Sequence, residues 1–279
     1  MSPLVSRPDS PTTHRATPSV WAKPTRRRHR APRRTAVTGA RALGYRVTIR
    51  TIDVVVSTAV LLLVAPLMFV IACLIRADSP GPVLFRQLRQ GRRSRPEDPD
   101  SGERLGRPFV LYKFRTMLAD AREVYPELYR YEHTPEEMQR LPIKVLVSRK
   151  MNPMELERCP EAASGLVNDP RITRIGRWLR RTSLDELPNF LSVLRGDMAL
   201  VGPRPDIVEN VRHYSAEHLR KLDVKPGITG LAQIMGRGRL SFVEINDLDV
   251  EYVDRQSLRL DLAILLRTIP AVLKRDGAY

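Results

Sequence analysis

Two adjacent carboxylates stand in the stretch Thr182-Ser183-Leu184-Asp185-Glu186-Leu187-Pro188, with Arg180 and Arg181 just before them. A second arginine-bearing block, Val201-Gly202-Pro203-Arg204-Pro205, follows shortly after. Acid beside arginine suits phosphate chemistry. The planar guanidinium grips phosphate oxygens, and a carboxylate can hold a divalent ion or attack phosphorus. Ser183 with Glu186 three residues on also matches a capping box, in which each side chain satisfies a free backbone donor of the other. Capping accounts for Ser183 and Glu186 and leaves Asp185 with only a general helix-dipole preference. Neighbouring helical residues point about 100° apart, so the two acids can take separate roles around one phosphate.

Arg204 lies between two prolines, which fix φ and leave the backbone under the guanidinium little entropy to lose. The bland alternative is an ordinary turn with a solvated arginine. Lys113 and Arg115, on or just after a candidate strand, add positive charge. The loops around Gly227, Gly230, Gly236 and Gly238 could let backbone N–H groups approach an anion, although turns use glycine everywhere. Together these groups form a diphosphate cradle; singly, each reads as a solvated surface residue.

An element near the N-terminus places this chemistry. Residues 54–75 form an almost unbroken apolar run, with Arg46, Arg50 and Asp53 on one side and Arg76 on the other. Roughly twenty such residues suffice to cross a bilayer as a helix. The run starts too far into the chain for a cleaved signal peptide. Pro66 removes a backbone donor in mid-run and kinks or breaks a helix there. The residues alone favour a kinked spanning helix. Arg86, Arg89, Arg92, Arg93 and Arg95 follow the run, so both flanks are basic, which favours a helix that enters and returns on the cytoplasmic side.

The 279 residues carry a formal charge of +16. Much of that excess precedes the apolar run, in a segment rich in Pro, Ser and Thr, so residues 1–44 read as a disordered basic arm. The expected domains are that arm, a membrane-inserted helix over 45–78 and a cytoplasmic catalytic domain over 79–279. Within the last, 118–168 reads as an insertion of unassigned role. Of the two cysteines, Cys73 lies in the apolar run, which argues against a disulfide framework. The five histidines show no metal-ligand spacing. No recognition-helix pattern or aromatic-basic RNA motif occurs, so nucleic acid is not an expected partner.

In the soluble part, 83–85 and 108–114 read as a β-hairpin, and 117–140 as one or two surface helices interrupted near Pro126 and Pro135. Residues 175–180 read as a short basic helix or turn, 184–194 as a helix capped by Ser183 and ending near Gly196, and 207–222 as a further helix. Residues 225–230 read as a tight loop and 231–234 as extended. Residues 258–275 read as an amphipathic helix, packed in the core or lying on the membrane surface. The fold class is α+β, mostly helical.

In this order the blocks closely resemble the bacterial sugar transferase family, the monotopic polyprenyl-phosphate phosphoglycosyl transferases. The matching pieces are Asp53 with the Pro66-interrupted run, Ser79-Pro80-Gly81-Pro82-Val83, Tyr112-Lys113-Phe114-Arg115-Thr116-Met117 and Asp169-Pro170-Arg171-Ile172-Thr173. The Asp185-Glu186 block, Leu194-Arg195-Gly196-Asp197-Met198, the Arg204 block and Pro226-Gly227-Ile228-Thr229-Gly230 complete them. The resemblance implies transfer of a sugar-1-phosphate from a nucleotide diphosphate sugar, a UDP-sugar by expectation, to polyprenyl phosphate. That step begins a surface glycan such as an exopolysaccharide. It implies Asp185 as nucleophile, forming a covalent phosphosugar intermediate, and Glu186 with Asp185 at Mg²⁺ (or Mn²⁺). Lys113, Arg115, Arg180 and Arg204 would bind substrate phosphates. It also implies the re-entrant topology, a place on the cytoplasmic face of the bacterial inner membrane, and leaves room for a homo-oligomer. The chain departs from the family at Ala65, where serine often precedes the proline. The 118–168 segment is longer than in the smallest members, and a basic arm stands where long members carry membrane spans.

Overall fold

The computed structural model describes residues 40–93, 106–129, 134–141, 169–236 and 239–273. Nearly all of the expected 1–44 arm and most of the 118–168 segment lie outside the described residues.

Helix α1, Ala40–Asp78, takes up the whole apolar run and continues through Pro66. It is long and apolar enough to cross a membrane. Between Ser57 and Ile71 none of its residues is buried, and Leu62, Leu63 and Phe69 are more than 70% exposed. Its two ends are covered. Toward the N-terminus, Arg50 donates to the carbonyls of Val193 and Leu194, both at 2.6 Å. Buried Asp53 accepts from the Leu200 N–H at 2.9 Å, and Tyr45 donates to Asp261. Toward the C-terminus, Ile71 and Ile75 pack with Phe114 and Leu179 in a sealed apolar cluster. Asp78 accepts there from the Ile175 N–H at 3.0 Å. Both ends of one helix therefore dock on a single body.

Strands β1, Leu84–Arg89, and β2, Phe109–Phe114, form the expected antiparallel hairpin, with Phe85 opposite Lys113 and Arg89 opposite Phe109. Short helices α2, Ala121–Val124, and α3, Pro135–Arg140, break at the expected prolines, a 3-10 turn over Pro126–Tyr129 lying between them. Helix α4, Arg174–Thr182, starts at Thr173, whose hydroxyl accepts from the Gly176 N–H.

The expected helix over 184–194 is split. Ser183 ends α4 in the left-handed region at φ 56°, its N–H directed back at the carbonyls of Arg180 and Leu179. An N-cap needs extended backbone, so Ser183 cannot close a capping box. A 3-10 turn over Leu184–Glu186 follows instead, then α5, Asn189–Arg195, which ends at Gly196 with φ 91°. Capping boxes do form among the described residues, at Thr134 with Glu137 and at Ser241 with Glu244.

Strand β3, Ala199–Val201, pairs in parallel with β4, Gly227–Thr229, so the expected 225–230 loop contains a strand. The pairing needs Gly227: a Cβ there would lie 2.7 Å from Gly202 Cα and 2.6 Å from the Thr229 carbonyl. Residues 231–234, expected extended, begin helix α6, Leu231–Gly236. The helix expected over 207–222 is two 3-10 segments, Val208–His213 and His218–Asp223. Helices α7, Phe242–Arg255, and α8, Leu258–Leu273, close the fold. Helix α8 buries Leu260, Asp261 and Ile264 and leaves Leu262, Leu266 and Ile269 exposed, the amphipathic pattern expected.

Candidate active site

Three short devices converge on one cleft. Strand β2 carries Lys113, alternation having sent Phe109 and Leu111 into the protein. The 3-10 turn after left-handed Ser183 carries Asp185 and Glu186. The Pro203-Arg204-Pro205 turn, leaving β3, carries Arg204. Glu186 Oε1 accepts from Lys113 Nζ at 2.8 Å and from Arg204 at 2.7 Å. One carboxylate oxygen thus holds two cations from distant parts of the chain. Arg180, on α4, donates through Nε to Thr116 Oγ1 at 2.9 Å, and its charge reaches Asp185.

The two acids respond in opposite senses. Burial works against the charge on Glu186, but Arg204 and Lys113 outweigh it and hold its pKa well below the ordinary value. Burial, then the neighbouring Glu186 charge, pushes Asp185 up to about 6, with Lys113, Arg180 and Arg204 opposing. Lys113 is itself pulled down, burial outweighing the attraction of Glu186. At neutral pH Asp185 is still largely ionised, and it does not share its partner's close ion pairs.

Residues not expected at the site from the sequence complete the cleft, an open space of about 250 Å³. Arg89, at the end of β1, lines it and donates to the Pro205 carbonyl at 3.1 Å. Burial and Arg204 pull its pKa down to about 10, so it remains charged. Asn189 lines the cleft as well, only 4% exposed, and its Oδ1 has no hydrogen-bond donor. The available signal was its place three residues after Glu186, one turn along. Arg115, expected at the phosphates, is placed apart from these groups. Its guanidinium turns away and donates to Ser79 O at 2.7 Å, Ser79 Oγ at 3.0 Å and the Pro80 carbonyl. Strand alternation puts residues 113 and 115 on the same side, but the strand ends at Phe114, and Arg115 instead ties down the C-terminal end of α1. Asp169 and Arg171 of the Asp-Pro-Arg block form a buried ion pair, with the guanidinium 4.9 Å from the Tyr129 ring centroid, a prop behind Arg180.

The family model described as bacterial sugar transferase matches residues 44–275. A UDP-glucose:undecaprenyl-phosphate glucose-1-phosphate transferase of Caulobacter vibrioides is 37% identical over 238 residues, covering 82% of this chain and 71% of that protein. The undecaprenyl-phosphate galactose phosphotransferase of Salmonella typhimurium is 36% identical over 230 residues, 82% of this chain but 41% of its own length. The exopolysaccharide production protein ExoY of Rhizobium meliloti is 35% identical over 230 residues, with 82% and 87% covered. The chain thus spans well under half of some curated relatives and most of others.

Proposed function

The chain belongs to the bacterial sugar transferase family and is an enzyme of that general type; on that footing we propose that it moves a sugar-1-phosphate from a UDP-sugar to polyprenyl phosphate. A carboxylate oxygen of Asp185 attacks the phosphorus that bears the sugar. The new bond is an acyl phosphate, and the bond from that phosphorus to the bridging oxygen breaks. Its electron pair leaves on the nucleoside monophosphate. An oxygen of polyprenyl phosphate then attacks the same phosphorus, Asp185 departs as a carboxylate, and the lipid-linked sugar diphosphate is released. No net proton is consumed, which suits a site built from cations and acids with no histidine at its centre.

The observation that carries this reading is the pair of cations, Lys113 and Arg204, converging on Glu186 beside an ionisable Asp185. Glu186 holds the place of an anion. When the diphosphate arrives, Lys113 and Arg204 transfer to its oxygens, with Arg180 on the Asp185 side, and the developing charge is stabilised. The donor set also fits a divalent ion. Glu186 and Asp185 supply carboxylate oxygens, and Asn189 Oδ1 is a buried oxygen without a donor. Among the described residues no group of three or more His, Cys, Asp or Glu gathers. Few protein ligands with the rest from phosphate and water is the usual arrangement for Mg²⁺. Bound there, Mg²⁺ or Mn²⁺ would screen the diphosphate and help the leaving group depart.

A lipid acceptor requires the site to face a membrane, and the docking of both ends of α1 on one body supports a re-entrant helix. The catalytic domain then lies on the cytoplasmic face of the inner membrane, where nucleotide sugars and the basic flanks both belong. Similar proteins name glucose or galactose, so no sugar is assigned here. The test is to offer UDP-sugars with and without polyprenyl phosphate and to measure UMP release and labelling of the protein by the sugar phosphate. Sustained release without the lipid would replace the transferase with a hydrolase.

A further inference from the structure

Two prolines fix φ in the Pro203-Arg204-Pro205 turn but do not place the turn in space. A buried ionic node beneath it does. Asp206, the next residue, accepts from the Tyr214 hydroxyl and lies 3.3 Å from Lys221 Nζ. Lys221 is 3% exposed. Its ammonium also donates to Asn246 Oδ1 at 2.9 Å and pairs with Asp249 Oδ2 at 2.6 Å, both on α7, and sits 5.2 Å from the centroid of the Tyr214 ring. One ammonium therefore ties Asp206, two residues past Arg204, to a helix that contributes nothing to the cleft. From the other side, the Gln90 N–H holds the Asp206 carbonyl at 2.8 Å.

Stability alone is a weak reason for this node. Burying charges is costly, and buried ion pairs are commonly no better than apolar side chains of the same size. Burial works against the charge on Lys221, but Asp249 and Asp206 outweigh it and hold its pKa above the ordinary lysine value. The ammonium is thus permanent, and the node keeps one geometry. We infer that Lys221 is a positioning residue for the transfer reaction: through Asp206 it sets the turn so that Arg204 reaches the substrate phosphates. This rests on the phosphate-binding role proposed for Arg204.

A double-mutant cycle on the full-length, detergent-solubilised enzyme tests it, with UDP-sugar and polyprenyl phosphate as substrates and melting temperature recorded for each variant. Lys221→Met is expected to lower kcat/KM by about a hundredfold, as a misplaced binding group does. Arg204→Ala should lower it by at least as much, and the double variant should be no slower than Arg204→Ala alone. Multiplying losses would show that Lys221 acts elsewhere than through Arg204 and would overturn the inference; so would a Lys221→Met enzyme with parental kinetics. Should Lys221→Met show no folded transition, Tyr214→Phe, which removes only the hydroxyl bond to Asp206, takes its place in the cycle under the same two outcomes. An Arg204→Ala enzyme as fast as the parent removes the phosphate-binding role itself, a result recognisable before any Lys221 variant is made.

Discussion

Asp185 and Glu186 are chain neighbours in opposite electrostatic states, and their difference dictates how the enzyme responds to pH. Glu186, clamped by Arg204 and Lys113, stays ionised far into acid. Asp185, raised to about 6, keeps its charge at neutral pH and loses it in mild acid. Only the carboxylate attacks phosphorus, so the rate of UMP release in a single turnover should be flat above pH 7. Below about pH 6 it should fall roughly tenfold per unit. A profile flat down to pH 4.5 would remove Asp185 from the step. Stability runs the other way for this residue. A folded value above the exposed one means that its contribution is complete at low pH and is lost as pH rises through about 6. Glu186 contributes the reverse, stability present above its ordinary pKa and lost as pH falls through its depressed folded value. Asp185→Asn should therefore abolish the covalent adduct and turnover while leaving the melting temperature at pH 7 unchanged or higher. Lys113→Met, removing one preorganised cation, should slow transfer about a hundredfold, measured as kcat/KM for the UDP-sugar.

Among the elements, those fixed by local rules were legible. The hairpin follows from alternation between Phe109 and Phe114, α5 ends where Gly196 supplies a left-handed residue, α2 stops short of Pro126 and α3 starts at Pro135. The errors share one cause, tertiary contact overriding a local motif. Ser183 and Glu186 have the spacing of a capping box, but α4 runs into Ser183 and uses it as its own end. Strands β3 and β4 are three residues each, too short to show alternation, and exist because Gly202 and Gly227 allow two backbones to touch. The acids, Lys113 and Arg204 were readable because charge patterning survives any fold. Arg89 and Asn189 were not, since only the cleft gives them meaning, and Arg115, expected at the phosphates, finds its near partners at Ser79 and Pro80, just beyond α1. Arg115→Met should accordingly lower stability by about 2 kcal/mol or more, the loss of charge-assisted hydrogen bonds to buried carbonyls. The KM for the UDP-sugar should stay within about twofold, a change too small for the loss of a phosphate contact. A large rise in KM at an unchanged melting temperature would return Arg115 to the phosphate site.

For the whole molecule, the decisive relation is between α1 and the membrane. If straight, the helix from Asp53 to Ile75 would measure about 33 Å, enough to cross the hydrocarbon core. Crossing would carry Asp53 and Ile75 to opposite faces of the bilayer, yet both pack on the same domain, Asp53 on Leu200 and Ile75 against Phe114 and Leu179. In the re-entrant arrangement proposed, the exposed residues between Ser57 and Ile71 would meet lipid, entering and returning on one side. Pro66 lies within that stretch, where its missing N–H leaves the Leu62 carbonyl without its helical partner. A serine at position 65 could satisfy it, and Ala65 cannot, so a re-entrant bend at Pro66 would rely on the docked ends rather than on a local hydrogen bond. Single cysteines test the arrangement. In a background with Cys73 and Cys159 replaced by serine, Thr48→Cys and Ala77→Cys put exposed thiols on either side of the apolar stretch. A membrane-impermeant maleimide added to intact cells should label neither, and after lysis should label both. Labelling of exactly one of the two in intact cells would mean that α1 spans the membrane, and the docked ends described here could not coexist in the working enzyme.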